Sequence, residues 1–238
     1  MKFKVQSSKF KTKKVDSSGV GSQAGEGRIR GTAATDPDNA LLTAWRTNSR
    51  VTTYLVENIP DALWDVPIPG APRRTVRMIV AHLHNVRCSW LKVLGREHGI
   101  AVPAQVDRRK VAPRQLLSAL ERSSRGIEAL LELGIAAGGQ VPPSKAYVWR
   151  NLPLDVPHVL TYFVAHEGHH RGQIVMLARQ LGHRLPAEIC NGLWDWRKRV
   201  GESRESSKFK VHPSTSLGMN PEHRRRVQSS KKEKLAVL

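Results

Sequence analysis

Between residues 36 and 200, apolar side chains return every three or four positions in four long stretches separated by proline-rich loops. This is the spacing of helices that bury one face. The first stretch opens on Asp36-Pro37, an N-cap followed by the proline that suits a first turn. It carries Leu41, Leu42, Trp45, Val51, Leu55 and Val56 to about Asn58, and Pro60 marks its stop. After the loop DVPIPGAP, a second helix is predicted from about Thr75 to Leu94, with Val76, Ile79, Val80, Leu83, Val86, Trp90 and Leu94 on one buried stripe and Gly95 closing it. A third follows Pro113, where Leu116, Leu117, Leu120, Ile127, Leu130 and Leu131 recur until Gly134. A fourth, after VPPSKAYVWRNLP, carries Leu160, Phe163, Val164, Ile174, Leu177 and Leu181 and stops at Gly182.

The segment PAEICNGLWDWRKRV predicts a short terminal helix, and no stretch alternates with period two. The expected fold is therefore all-α, a four-helix bundle with a short C-terminal helix. Loops of about ten to twenty residues are longer than simple up-down connections need, so at least one crossover is expected.

Composition sets the boundaries. All six tryptophans and all three tyrosines lie between residues 45 and 196, which places a single core there and one domain over residues 35–200. Residues 1–34 and 201–238 are rich in Lys and Ser, share duplicated words such as SSKFK and VQSS, and are expected to be disordered basic tails because they cannot offset their ordering entropy. The net charge of +19 invites a nucleic-acid reading, yet the tails supply +6 and +5 of it and leave +8 for the middle. Nucleic-acid binding is thus expected only through the tails.

Cys88 and Cys190 are too few for a disulfide framework, no signal-type segment opens the chain, and no apolar run is long enough for a membrane span. A cytoplasmic location is the expectation, with no membrane partner.

The chemistry concentrates in HEGHHRGQIVML, residues 166–177. His166-Glu167-Gly168-His169-His170 fits the H-E-x-x-H pattern of zinc proteases. That reading fails on its surroundings: the position after the second histidine that a metzincin fills with glycine is Gln173, and Glu188 is the sole candidate for a downstream ligand. Two histidines at i and i+4 on an inward stripe can nevertheless reach one ion without distorting the helix. Gly168 and Gly172 would let a neighbour approach closely. A third ligand should come from the second helix, where His82 and His84 lie on different faces, and periodicity leaves that choice open. His98, His158, His183, His212 and His223 are expected not to be ligands. Arg87, on the flank of the second helix, is read as a surface residue or as a holder of an anionic substrate.

The segments HLHNVRCSWL (82–91), HEGHHRGQIVMLARQLGH (166–183) and NGLWDWRK resemble the DinB/YfiT-like metalloenzyme superfamily, especially its DinB branch. This damage-inducible four-helix-bundle family is distinct from the translesion polymerase that shares its name. The resemblance covers roughly residues 36–200. It implies a divalent ion, zinc or nickel, held by one histidine of the second helix and the H-x-x-x-H pair of the fourth, and it favours His82, His166 and His170 as that set. It further implies a metal-dependent transferase or hydrolase acting on a small molecule, with a low-molecular-weight thiol as a cosubstrate, and a homodimer. Glu167, His84, His169 and Gln173 are candidates to orient the imidazoles or handle protons. The rival expectation is a metal-binding stress protein without turnover.

Overall fold

Asp36 and Pro37 start the first helix as their chemistry requires. In a computed structural model that describes residues 36–208, Asp36 Oδ1 accepts the amide hydrogen of Asp38 at 3.1 Å and Pro37 occupies the first turn of α1 (Pro37–Glu57). Thr75 caps α2 (Val76–Trp90) by accepting from Met78 N, and Asp155 caps α4 (Val156–Gln180) by accepting from His158 N. The third helix, α3 (Pro113–Ala136), again begins on proline, and the Gln115 side chain accepts from Ala112 N at 3.0 Å. Gly182, at φ +78°, turns the chain out of α4.

Two apolar clusters fix the topology. One gathers Leu55 and Val56 from the end of α1, Val76 and Val80 from the start of α2, Leu116 and Leu120 from the start of α3, and Ile174 and Leu177 from the end of α4. The other joins Trp45, Leu91, Ile127, Leu130, Val159 and Phe163 from the opposite ends. Consequently α1 and α4 run one way and α2 and α3 the other. Parallel α2 and α3 demand a long return, which residues 96–112 supply, so the expected crossover lies between them. Both α1 and α2 pack on α3 and α4.

Between the two clusters lies a polar layer. Asn48 and Thr52 of α1, His84 and Arg87 of α2, Ser123 of α3 and Glu167 of α4 are all buried. Arg87 Nε donates to Glu167 Oε1 at 2.8 Å and its Nη2 stands 2.6 Å from the same oxygen. Nη1 donates to the Leu120 carbonyl at 2.8 Å, and the guanidinium lies over the Trp45 ring, 5.0 Å from its centroid. Glu167 Oε2 accepts from Asn48 Nδ2 at 3.0 Å and from Thr52 Oγ1 at 2.7 Å. Arg87 is thus a core residue, 1% exposed like Glu167, and neither the surface reading nor the substrate-binding one survives. A buried charge needs a partner and hydrogen bonds, and the layer supplies the partner and acceptors for Nε and Nη1 of Arg87.

Three further differences from the predicted elements have local causes. The loop after α1 folds into a small hairpin, β1 (Pro67–Ile68) with β2 (Ala71–Thr75), turned by Gly70 at φ +74°. The end of α2 widens into a π-type turn over Leu91–Gly95. The C-terminal segment divides into α5 (Ala187–Gly192) and α6 (Trp196–Lys208). Helix α6 packs on α1, where buried Arg199 lies 4.0 Å from the Tyr54 ring centroid and Arg50 Nε donates to Glu202 at 2.7 Å. Residues 201–208 therefore continue a helix that the sequence reading ended at 200. The remainder of both basic tails lies outside the described residues.

Removing Arg87 leaves Glu167 with Arg171, 3.8 Å from its Oε2, as its remaining ion-pair partner and without the hydrogen bond that Arg87 Nε donates. Arg87→Met should lower the unfolding free energy by roughly 3–5 kcal/mol, and Glu167→Leu should cost less when added to it than in the wild type, Arg171 losing its carboxylate in either background. A double-mutant cycle by urea denaturation measures both, and additive losses would contradict the coupling.

Candidate metal centre

Helix α4 presents His166 and His170 one turn apart, and α2 presents His82 opposite them. One ring nitrogen from each of the three lies within 4.8 Å of the others. The ring centroids are 4.6 Å apart for His166 and His170, 4.9 Å for His82 and His170, and 5.4 Å for His82 and His166. His170 Nε2 is 3.2 Å from His166 Nε2. Two imidazoles on one tetrahedral ion, with bonds of about 2.0–2.1 Å, stand about 3.3 Å apart, so the pair is already spaced for one.

The proton positions favour the same arrangement. Gln173 places Oε1 at 2.7 Å from His170 Nδ1, which must donate to it. Nε2 of His170 then carries a lone pair directed at Nε2 of His166. A proton or a cation between the two nitrogens relieves that repulsion. The Gln173 amide also lies 3.0 Å from His169 Nε2, so the glutamine bridges a ligand candidate and an exposed histidine. The position that counted against a metzincin thus orients an imidazole.

Burial disfavours the charged form of all three rings. Burial lowers the pKa of His166 to about 4, helped by the charges of His170 and His82 and opposed by Glu167. Burial also lowers His82, with further contributions from His170, Arg108 and Arg74. For His170 burial again comes first, and the Gln173 hydrogen bond opposes it. Neutral imidazole is the ligand form, and a set that resists protonation stays available at mildly acidic pH.

Two of the four residues expected to support the ligands do something else. Glu167 makes its hydrogen bonds with Asn48, Thr52 and Arg87 and none with a histidine. It cannot serve as the water-activating base of an H-E-x-x-H protease, because it faces the core and is ion-paired there. His84 is a satisfied core histidine whose Nε2 donates to the Ala104 carbonyl at 3.0 Å and whose Nδ1 is 3.0 Å from Ser123 Oγ. It ties the crossover to α2 and α3.

Among the other histidines, His158 pairs with the Asp155 cap at 2.7 Å and His98 lies 3.2 Å from the Pro142 carbonyl oxygen. His212 and His223 are outside the described residues. Gly168 and Gly172 bring no other helix close among the described residues: a Cβ at Gly172 would meet nothing within 4 Å, and one at Gly168 only the Arg171 guanidinium at 3.8 Å.

The sequence reading passed over three nearby residues. Tyr162 stacks on His166, with centroids 6.1 Å apart and planes 9° from parallel, and its hydroxyl accepts from Trp90 Nε1 at 3.2 Å. Its place one turn before His166 was the available signal. Arg74 and Arg108 are close enough to depress His82, and the buried Nε of Arg108 has no hydrogen-bond acceptor.

A helical bundle whose second and fourth helices bring three imidazoles together defines a class of protein with a candidate metal centre at mid-bundle. The sequence model of the DinB family matches residues 33–200, and the chain belongs to that family. No curated protein matches the chain. No helix among the described residues is long and apolar enough to cross a membrane.

The lowered histidine values set a pH dependence for the metal-free protein. In the unfolded chain these groups bind protons near pH 6.5, whereas folded His166 does so only near 4. The histidine contribution to stability should therefore fall as pH drops from about 6.5 to about 4 and level off below, where protonation of Asp65, held below its ordinary value by Arg77, continues the loss. Urea titrations across that range, with the His166 imidazole followed by NMR, check the direction. A His166 midpoint near 6.5 would contradict the neutral cluster.

Proposed function

We propose that this DinB-family protein is a metal-dependent enzyme acting on a small molecule, by thiol transfer or hydrolysis, with His82, His166 and His170 holding a zinc or nickel ion. The observation that carries the reading is the convergence of three imidazole nitrogens within 4.8 Å. Three protein ligands, rather than four, is the composition of centres that leave a position for a reactant. A divalent ion bound there lowers the pKa of a coordinated water or low-molecular-weight thiol and so supplies a nucleophile near neutral pH.

The chain's own residues have separate tasks in this reading. Gln173 accepts the Nδ1 proton of His170 and keeps Nε2 for the ion, and Tyr162 holds the His166 ring by stacking. Arg74 and Arg108 take the part that sequence reasoning offered to Arg87, the reception of an anionic group on the substrate. Neither is given an acidic partner by the described ion pairs, and the orphaned Nε of Arg108 supports that assignment. The non-catalytic alternative, an ion that only braces the bundle, is less favoured because Arg87 and Glu167 already join the same two helices.

Protein purified from cells grown with zinc and nickel should hold about one such ion per chain by inductively coupled plasma mass spectrometry. His166→Ala with His170→Ala should remove it, whereas His84→Ala should keep the ion and lose stability. A metal-free wild type would sink the proposal. A screen of metal-loaded protein with thiol cofactors and electrophiles separates the two readings, since bound metal without turnover leaves the bracing role.

A further inference from the structure

Helix α4 carries a second feature on a different face. Gly168, Gly172, Val175 and Arg179, spaced at three and four residues, line a cavity of about 580 Å³ between α4, α5 and the start of α6. The volume lies within the range of about 300–1,000 Å³ of small-molecule sites. Its lining is mainly apolar, including Val175, Leu193, Trp196, Met176 and Trp194. The last two are 62% and 82% exposed. Among the described residues, the charged ones that line it are Arg171, Arg179 and Arg184, with no carboxylate.

The glycines are informative here. Glycine in mid-helix costs helix stability relative to other residues, and close packing would normally account for it. Among the described residues, nothing lies within 4 Å of a Cβ placed at Gly172, and at Gly168 the nearest atom is the Arg171 guanidinium at 3.8 Å. Their effect is to keep the cavity open.

The arginines select the occupant. Arg171 is committed to Asn48 and Thr52, at 3.0 and 2.7 Å, beside Glu167. Arg179 and Arg184 have no ion-pair partner among the described residues. A second copy of the chain seated here through a twofold axis would bring the same arginine-bearing, carboxylate-free lining against itself. We propose that this cavity binds a small amphipathic anion, its alkyl or aryl body between Met176, Trp194 and Trp196 and its acidic head on Arg179 and Arg184. The site is separate from the three histidines and independent of any activity there.

Cys190 lines the cavity and is half-buried, so its alkylation reads occupancy. Cys88 is an internal control, because it is buried and its thiol is pushed up to about 11. The full-length protein is treated with iodoacetamide at increasing decanoate, below micelle-forming concentrations, and each cysteine is followed by mass spectrometry. Saturable protection of Cys190 is expected. Decanol and decyltrimethylammonium should protect at least tenfold less well.

Arg179→Glu with Arg184→Glu should weaken decanoate protection at least tenfold, and Gly172→Leu, for which there is room, should abolish it. Circular dichroism and metal content should match wild type in both variants. Equal protection by decanol overturns the proposal. So does protection without ligand, whether it grows with protein concentration, as for a second copy, or is independent of it, as for the chain's own C-terminal residues.

Discussion

The ion pair between Arg87 and Glu167 is the interaction on which the arrangement of the bundle depends. An isolated charge in a helical core would be intolerable, and each of these is made acceptable by groups from other helices: the Leu120 carbonyl on α3, Asn48 and Thr52 on α1, and the Trp45 face. The pair therefore ties down more than one contact. By fixing Glu167 toward the core it fixes the rotation of α4, and the histidines on either side of it in sequence must then project along a neighbouring direction, toward His82. The histidine cluster inherits its geometry from a network that contains none of its three members.

That dependence explains what could be read from the sequence. Helix starts at Asp36-Pro37 and Pro113, the stop at Gly182 and the need for a crossover all follow from local chemistry or loop length, and all are found. The buried face of α2 was misread. Periodicity scores Ile79 and Val86 as core and Arg87 as flank, yet the structure buries Arg87 and His84 while leaving Ile79 and Val86 only partly covered. Hydrophobicity along one helix carries no information about whether a polar group will find partners on three others. The same limit applies to the terminal helix, which is expected to end at 200: α6 runs on to Lys208 and packs on α1, with Arg199 buried against Tyr54.

The histidines were more legible because their signal is local. The i, i+4 spacing of His166 and His170 survives translation into three dimensions, and Gln173 follows one turn later. The choice between His82 and His84 could not be made from spacing, since it turns on what lies across the bundle. His82 faces α4, whereas His84 faces Ser123 and the crossover. Helix α4 thus serves three clients on three faces: imidazoles toward α2, a carboxylate in the core, and glycines toward a cavity.

The polar layer also bears on how the chain reaches this state. Arg87 and Glu167 are 80 residues apart in sequence, and α2 is followed by a return segment rather than by an antiparallel neighbour. A partly formed bundle that buries α2 without α4 strands a guanidinium, and one that buries α4 without α2 leaves Glu167 only Arg171 of its own helix, at 3.8 Å, and no hydrogen bond from Arg87. Each half-assembled state carries a desolvation penalty that the complete one escapes. The layer thereby empties the middle of the folding reaction and makes the bundle form, or come apart, as a unit.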